Sequence, residues 1–117
     1  MSHSPDPFFM VGGAVNAAFL NFTKALSKRG LVDGVNVNSI NPGMTSTDRL
    51  ITIIQNNADR EGISFVDAKK NALKNIGLDR FSTPEEVAEL AYFLCDPKVR
   101  HLTGTEINLD GGKKPTI

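Results

Sequence analysis

The side chains best suited to chemistry in this chain are hydroxyls gathered in one short segment, "NPGMTSTDRL", Asn41 to Leu50. Thr45, Ser46 and Thr47 can each donate and accept a hydrogen bond, and Pro42-Gly43 ahead of them makes a turn small enough for backbone amides to approach a ligand. A strand-like run, "VNVNSI", leads into that turn, and a turn alone has no need of so many hydroxyls. Read on its residues only, the simpler account is a strand-to-helix turn capped by Thr47 and Asp48. Other reactive groups are few. The single cysteine, Cys95 in "ELAYFLCD", stands on the expected buried side of a helix and reads as a small core hydrophobe, not a nucleophile. His3 and His101 are isolated, with no cysteine or carboxylate cluster at ligand spacing, so no metal site is expected.

These groups belong to a chain of 117 residues, enough for one unit with one hydrophobic core, and a single unit is expected over 1–117. Apolar residues make up 40% and charged residues 22%, the composition of a globular protein. With 13 basic and 13 acidic side chains the formal charge is zero, and the lysines and arginines are scattered, so no nucleic-acid partner is expected. No apolar run approaches the ~18 residues of a membrane span, and the N-terminus lacks a charged-then-apolar signal. A cytoplasmic protein without membrane contact is the expectation.

The elements that must position the hydroxyl segment follow from periodicity and capping. Residues 1–9, with two prolines, read as a flexible lead-in. From about Val11 to Arg29, Val15, Ala18, Phe19, Phe22, Ala25 and Leu26 recur at spacings of three and four. They predict a helix with that stripe buried, Asn21, Lys24 and Lys28 on the wetter side, and Gly30 as its stop. Asp33-Gly34 then turns into a short strand carrying Val35, Val37 and Ile40. Thr47-Asp48 caps a helix ending near Asn56-Asn57, and "SFVD", Ser64 to Asp67, opens another through about Lys74. "TPEE", Thr83 to Glu86, is the clearest start, with Val87, Leu90, Ala91 and Leu94 buried until Asp96-Pro97. "TGTEINLDGG" closes with a strand. Strands separated by helices imply parallel pairing in an α/β sheet, and two strands make only part of one.

In order and spacing, "NAAFLNFTKALSKRG", "GVNVNSINPGMTST", "DRFSTPEEVAELAYFLCDP" and "LTGTEINLDGG" resemble the C-terminal half of the short-chain dehydrogenase/reductase family, over roughly Gly13 to Gly112. The resemblance implies an α/β fold, the C-terminal portion of a doubly wound Rossmann-type parallel sheet with flanking helices. It implies NAD or NADP as cofactor and hydride transfer between the nicotinamide and a small carbonyl or alcohol substrate. Ligands of such sheets lie beyond the carboxyl ends of the strands. By the same resemblance Pro42 and Gly43 shape the cofactor-side turn, Met44 and Thr45 lie along the nicotinamide ring and carboxamide, and Thr47 offers its hydroxyl to the carboxamide or diphosphate. Residues 48–78 correspond to the variable substrate-side lid, and the helices beginning at Val11 and Thr83 to surfaces through which family members form homo-oligomers.

The chain also departs from the family. It has no "GxxxGxG" fingerprint, so the turn that lifts backbone amides to the diphosphate is missing. Alignment of the long helix puts Gly12 where the family has its catalytic tyrosine and Asn16 where it has lysine. The only tyrosine, Tyr92, with Asp96 four residues on, does not replace the pair. No catalytic residue is therefore assigned, and the chain by itself is expected to be inactive, to self-associate through apolar surface, and to show no saturable NAD(P)H binding. The readings left open are part of a larger oxidoreductase, a noncatalytic partner-binding module derived from that family, and a degenerate relative pairing with a full-length enzyme.

Overall fold

The computed structural model describes Pro7 and residues 9–113. Apart from Pro7 and Phe9, the lead-in expected over 1–9 lies outside the described residues. Helix α1 spans Met10–Asp33, strand β1 Ser39–Pro42, α2 Asp48–Glu61, α3 Phe65–Ile76 and α4 Pro84–Leu94, followed by a 3-10 turn at Pro97–Val99 and strand β2 at Glu106–Leu109. The two strands form one sheet. Their direction follows from the ladder: Ser39 N–H donates to the Thr105 carbonyl, and Gly43 N–H to that of Leu109, so both strands advance together and the pairing is parallel. This is part of an α/β fold, as expected.

The chain resolves into two compact units, residues 1–41 with 91–107 and residues 42–90 with 108–117. The second unit holds the apolar core. Leu50, Ile54 and Ala58 recur every four residues on α2 and meet Ala68 of α3 and Phe81, all buried. Local chemistry starts and ends these helices. Thr47 Oγ accepts from Leu50 N–H at the head of α2, Ser64 Oγ from Asp67 N–H at the head of α3, and Gly62 and Gly77 close them in left-handed conformation, φ 65° and 69°. α2 outruns its expected end by reaching Glu61, because Gly62 and not the Asn56-Asn57 pair is the stop, and α3 runs to Ile76 with Gly77 as its stop.

The first unit is held differently. α1 does not stop at Gly30; it continues to Asp33 and ends at Gly34, φ 70°. Gly30 is buried because backbone crosses it: a Cβ there would run into the Val35 carbonyl oxygen. The covered residues of α1 are Thr23, Ser27 and Gly30, while Val15, Phe19, Phe22 and Leu26 are exposed, against the expected burial of that stripe; Asn21, Lys24 and Lys28 are exposed, as expected. The segment before β2 lies against this side of the helix: Lys24 Nζ donates to the Gly104 carbonyl at 2.7 Å, and Gly104 backs onto Ser27. That segment also explains why β1 begins at Ser39 and not Val35. Asn36 Nδ2 donates to the Arg100 carbonyl, Asn38 Nδ2 to that of Leu102, and Val37 N–H to Thr103 Oγ1, so side chains take the place of a regular ladder. Cys95 is likewise exposed, not a core residue, as no residue of the helix preceding it is buried.

Candidate functional site

The segment singled out for its hydroxyls leaves the carboxyl end of β1, and all of it after Asn41 belongs to the second unit. Pro42 is the last strand residue and exposed. Gly43 extends the ladder through its N–H, and here glycine answers a close approach of two backbones: an added Cβ would stand 2.9 Å from Asp110 Cα. Met44 is half-buried and packs against the core around Leu50, Ile54 and Phe81, so its side chain anchors the segment from below. Thr47 is exposed and caps α2 with its oxygen, a bond that leaves its own proton to donate outward. Asp48 follows in the first turn of α2, placing a carboxylate where an anion would otherwise be attracted to the helix end.

Thr45 is tied to a residue that sequence reasoning did not single out. Ser82 N–H donates to the Met44 carbonyl at 3.1 Å, and the Ser82 carbonyl accepts from Ser46 N–H at 2.8 Å, a parallel bridge centred on Thr45 and Ser82. The two hydroxyls lie 3.0 Å apart, and Ser82 Oγ donates to the Met44 carbonyl at 3.2 Å. Both hydroxyls are satisfied when Thr45 donates to Ser82 and Ser82 donates onward to Met44. In that arrangement Thr45 presents only lone pairs to a ligand.

Beside Ser82 stands the shorter of the ion pairs among the described residues of this unit. Arg80 grips Glu86 with both terminal nitrogens, Nη2 at 2.7 and Nη1 at 2.9 Å, and Nη1 also donates to the Phe81 carbonyl at 3.1 Å. Glu86 accepts from Thr83 N–H at 2.8 Å and Thr83 Oγ1 from Glu86 N–H at 3.3 Å, the capping box read from "TPEE". The Arg80 hydrogen bond and then the Thr83 amide hold the Glu86 carboxyl down at about 2, below its ordinary 4.5, and the same pairing raises Arg80. A cavity of about 220 Å3 opens against Gly43, Met44, Arg80, Ser82 and Asp110. It is smaller than the ~300–1,000 Å3 of ordinary ligand pockets.

A family profile described as enoyl-(acyl carrier protein) reductase matches residues 5–114. The chain belongs to the short-chain dehydrogenase/reductase family. The NADPH-dependent reductase BacG of Bacillus subtilis is 31% identical over 113 residues, which is 97% of this chain and 44% of that protein. A short-chain dehydrogenase family protein from Francisella tularensis superposes with a TM-score of 0.84 at 32% identity, covering 95% of this chain and 46% of the other. The L-sorbose reductase of Gluconobacter frateurii, solved with NADPH and L-sorbose, superposes at 0.82 and 27% identity over 96% of this chain and 42% of its own. The chain thus spans less than half the length of each of these relatives. Its sheet and helices are part of a Rossmann-type fold.

The positions aligned with the family's Tyr-x-x-x-Lys pair lie in the first unit. Gly12 is covered by the Phe9 ring, into which an added Cβ would run, and Asn16 is exposed. Tyr92 is exposed on α4. Among the described residues no helix is long and apolar enough to cross a membrane.

Proposed function

We propose that this chain forms part of an NAD(P)-dependent reductase that moves a hydride between a nicotinamide and a small carbonyl or alcohol substrate, and that it supplies the nicotinamide-side loop, Pro42, Gly43, Met44, Thr45 and Thr47. The observation that carries this reading is the loop itself: it follows the carboxyl end of a parallel strand and is hydrogen-bonded to Ser82 at Met44, Thr45 and Ser46. The naming of BacG as NADPH-dependent and the NADPH in the sorbose reductase structure favour NADPH over NADH.

The residues present fit the carboxamide end of such a cofactor better than its diphosphate. Thr45 offers lone pairs to an amide N–H2, and Thr47 offers a proton to an amide carbonyl. Asp48 in the first turn of α2 disfavours a phosphate at the same place. When bound, the nicotinamide supplies or takes up the hydride. This chain's part is to orient its ring and carboxamide, and Gly43 keeps the strand ends close enough for the loop to hold one shape. The proton for the developing alkoxide comes from a group other than Gly12, which has no side chain, or Asn16, which is uncharged.

Titration of NADPH into the 15N-labelled chain tests this. The Gly43, Met44, Thr45, Ser46 and Thr47 amides are expected to shift without saturating below about 1 mM, an affinity of roughly 4 kcal/mol or less, because the diphosphate grip is missing. Shifts confined to other residues would overturn the assignment, and tight stoichiometric binding would overturn the partial-site view. A second reading, a noncatalytic module that pairs with a copy of itself or a full-length relative, is favoured by one observation: the apolar stripe of α1 lies exposed.

A further inference from the structure

The geometry points to Ser82 as the positioning residue of the 43–47 loop, with the Arg80–Glu86 pair as its anchor; the functional consequence rests on the reading above that this loop receives a nicotinamide. Ser82 meets the loop with every polar atom it has. Its N–H and its hydroxyl both donate to the Met44 carbonyl, its carbonyl accepts from Ser46, and its hydroxyl oxygen faces Thr45 at 3.0 Å. An ordinary capped turn makes no such set of contacts to a segment 37 positions away in sequence. The hydroxyl also has a chemical effect. By taking the Thr45 proton it leaves Thr45 an acceptor, the polarity that an amide N–H2 requires. Without it, Thr45 has only the Gly43 carbonyl to donate to, at 3.4 Å, and its proton becomes available to face the ligand.

Ser82 is in turn fixed from both sides. The Phe81 ring is buried in the core and its carbonyl accepts from Arg80, while the N–H of Thr83 donates to Glu86. One bidentate ion pair therefore ties down the peptide groups before and after Ser82. A capping box needs only Thr83 and Glu86. Arg80 adds a second grip on the Glu86 carboxylate and a bond to the Phe81 carbonyl, so the contacts that close the cap also place Ser82.

Amide hydrogen exchange on the full 15N-labelled chain, followed by NADPH titration of the same samples, tests the proposal. Ser82→Ala should speed exchange of the Ser46 amide roughly fivefold, the loss of about one neutral hydrogen bond, while the Ile54 and Ala58 amides keep the parent rate. Ser82→Thr, which restores the hydroxyl, should return Ser46 to within about twofold of the parent, a rescue that mere loss of packing would not give. Arg80→Gln should speed exchange at both Ser46 and Ser82. With NADPH, the shift at Thr45 should shrink in Ser82→Ala and recover in Ser82→Thr. Unchanged Ser46 exchange in Ser82→Ala and Arg80→Gln overturns the positioning role whatever NADPH does. Loop amides that NADPH leaves unmoved in the parent chain overturn the cofactor reading on which the role depends. Should Arg80→Gln also expose Ile54 and Ala58, the fold itself has opened, and Ser82→Ala, which removes one oxygen atom, decides.

Discussion

The two units of this chain carry similar helical patterns and treat them in opposite ways. In the second, Leu50, Ile54 and Ala58 recur along α2 and are buried, Ile54 to 3% exposure, against α3. In the first, Val15, Phe19, Phe22 and Leu26 recur along α1 just as regularly, yet Phe22 is 58% exposed and the buried side of the helix is Thr23, Ser27 and Gly30. An apolar stripe states what a helix can bury, not what it does bury. α2 and α3 are neighbours in sequence, joined through Gly62 to Ser64, so each finds its partner locally. The stripe of α1 finds no such local partner, and the unit around it is held by hydrogen bonds from Lys24, Asn36, Val37 and Asn38 to the segment 100–104.

The sharpest way to break this contrast is to cut into the core. Ile54→Ala is expected to destabilise the second unit by about 2–5 kcal/mol, as for other buried aliphatic truncations, read from urea unfolding. Amide exchange on the same variant sharpens the comparison. If α1 amides near Thr23 and Ser27 keep their protection while those of α2 lose it, the units open separately; loss in both makes them one cooperative block.

A smaller effect is expected from acid. The Glu86 carboxyl has a folded value of about 2 against an ordinary 4.5, so its pairing stabilises the folded chain fully above about 4.5, and that contribution is lost as the pH falls toward about 2. Thermal melts across that window should show a slope that Glu86→Gln flattens. An identical slope in both chains would assign the acid sensitivity to other carboxylates. Glu86 is exposed, so salt should weaken the effect.

The smallest change in folding stability is expected at the α1 stripe. Phe19→Ser with Phe22→Ser should alter the unfolding free energy by no more than about 0.5 kcal/mol, because both rings are already exposed. The same pair should lower the mass seen by light scattering if the stripe mediates self-association. A strongly destabilised variant would show that the stripe is covered in solution.

Most of the fold was legible wherever a local rule decides it. The caps at Thr47, Ser64 and Thr83 fall where hydroxyls precede helical runs, and β2 falls where alternation meets glycine turns, whereas β1 keeps only the end of its expected run. Helix ends were less legible, since Gly30 and Gly34 look alike in sequence and only the crossing of Val35 over Gly30 separates an interior glycine from a stop. Of the candidate site, the loop 42–47 stood out by its hydroxyls, but the residue bonded to it did not. Ser82 and Arg80 sit in "DRFS" with no periodicity, and the one hint was Glu86, visible as a cap but not as the partner of an arginine.

By itself the sequence determined the elements, because capping, turn chemistry and periodicity act within a few residues, and it determined kinship with a family through their order. Only the tertiary structure decided which face of α1 is covered, that Cys95 is exposed, and that Ser82 grips the loop after β1. Those outcomes depend on groups tens of residues apart, and which of them meet is settled by the competition of long-range hydrogen bonds and packing rather than by any local preference.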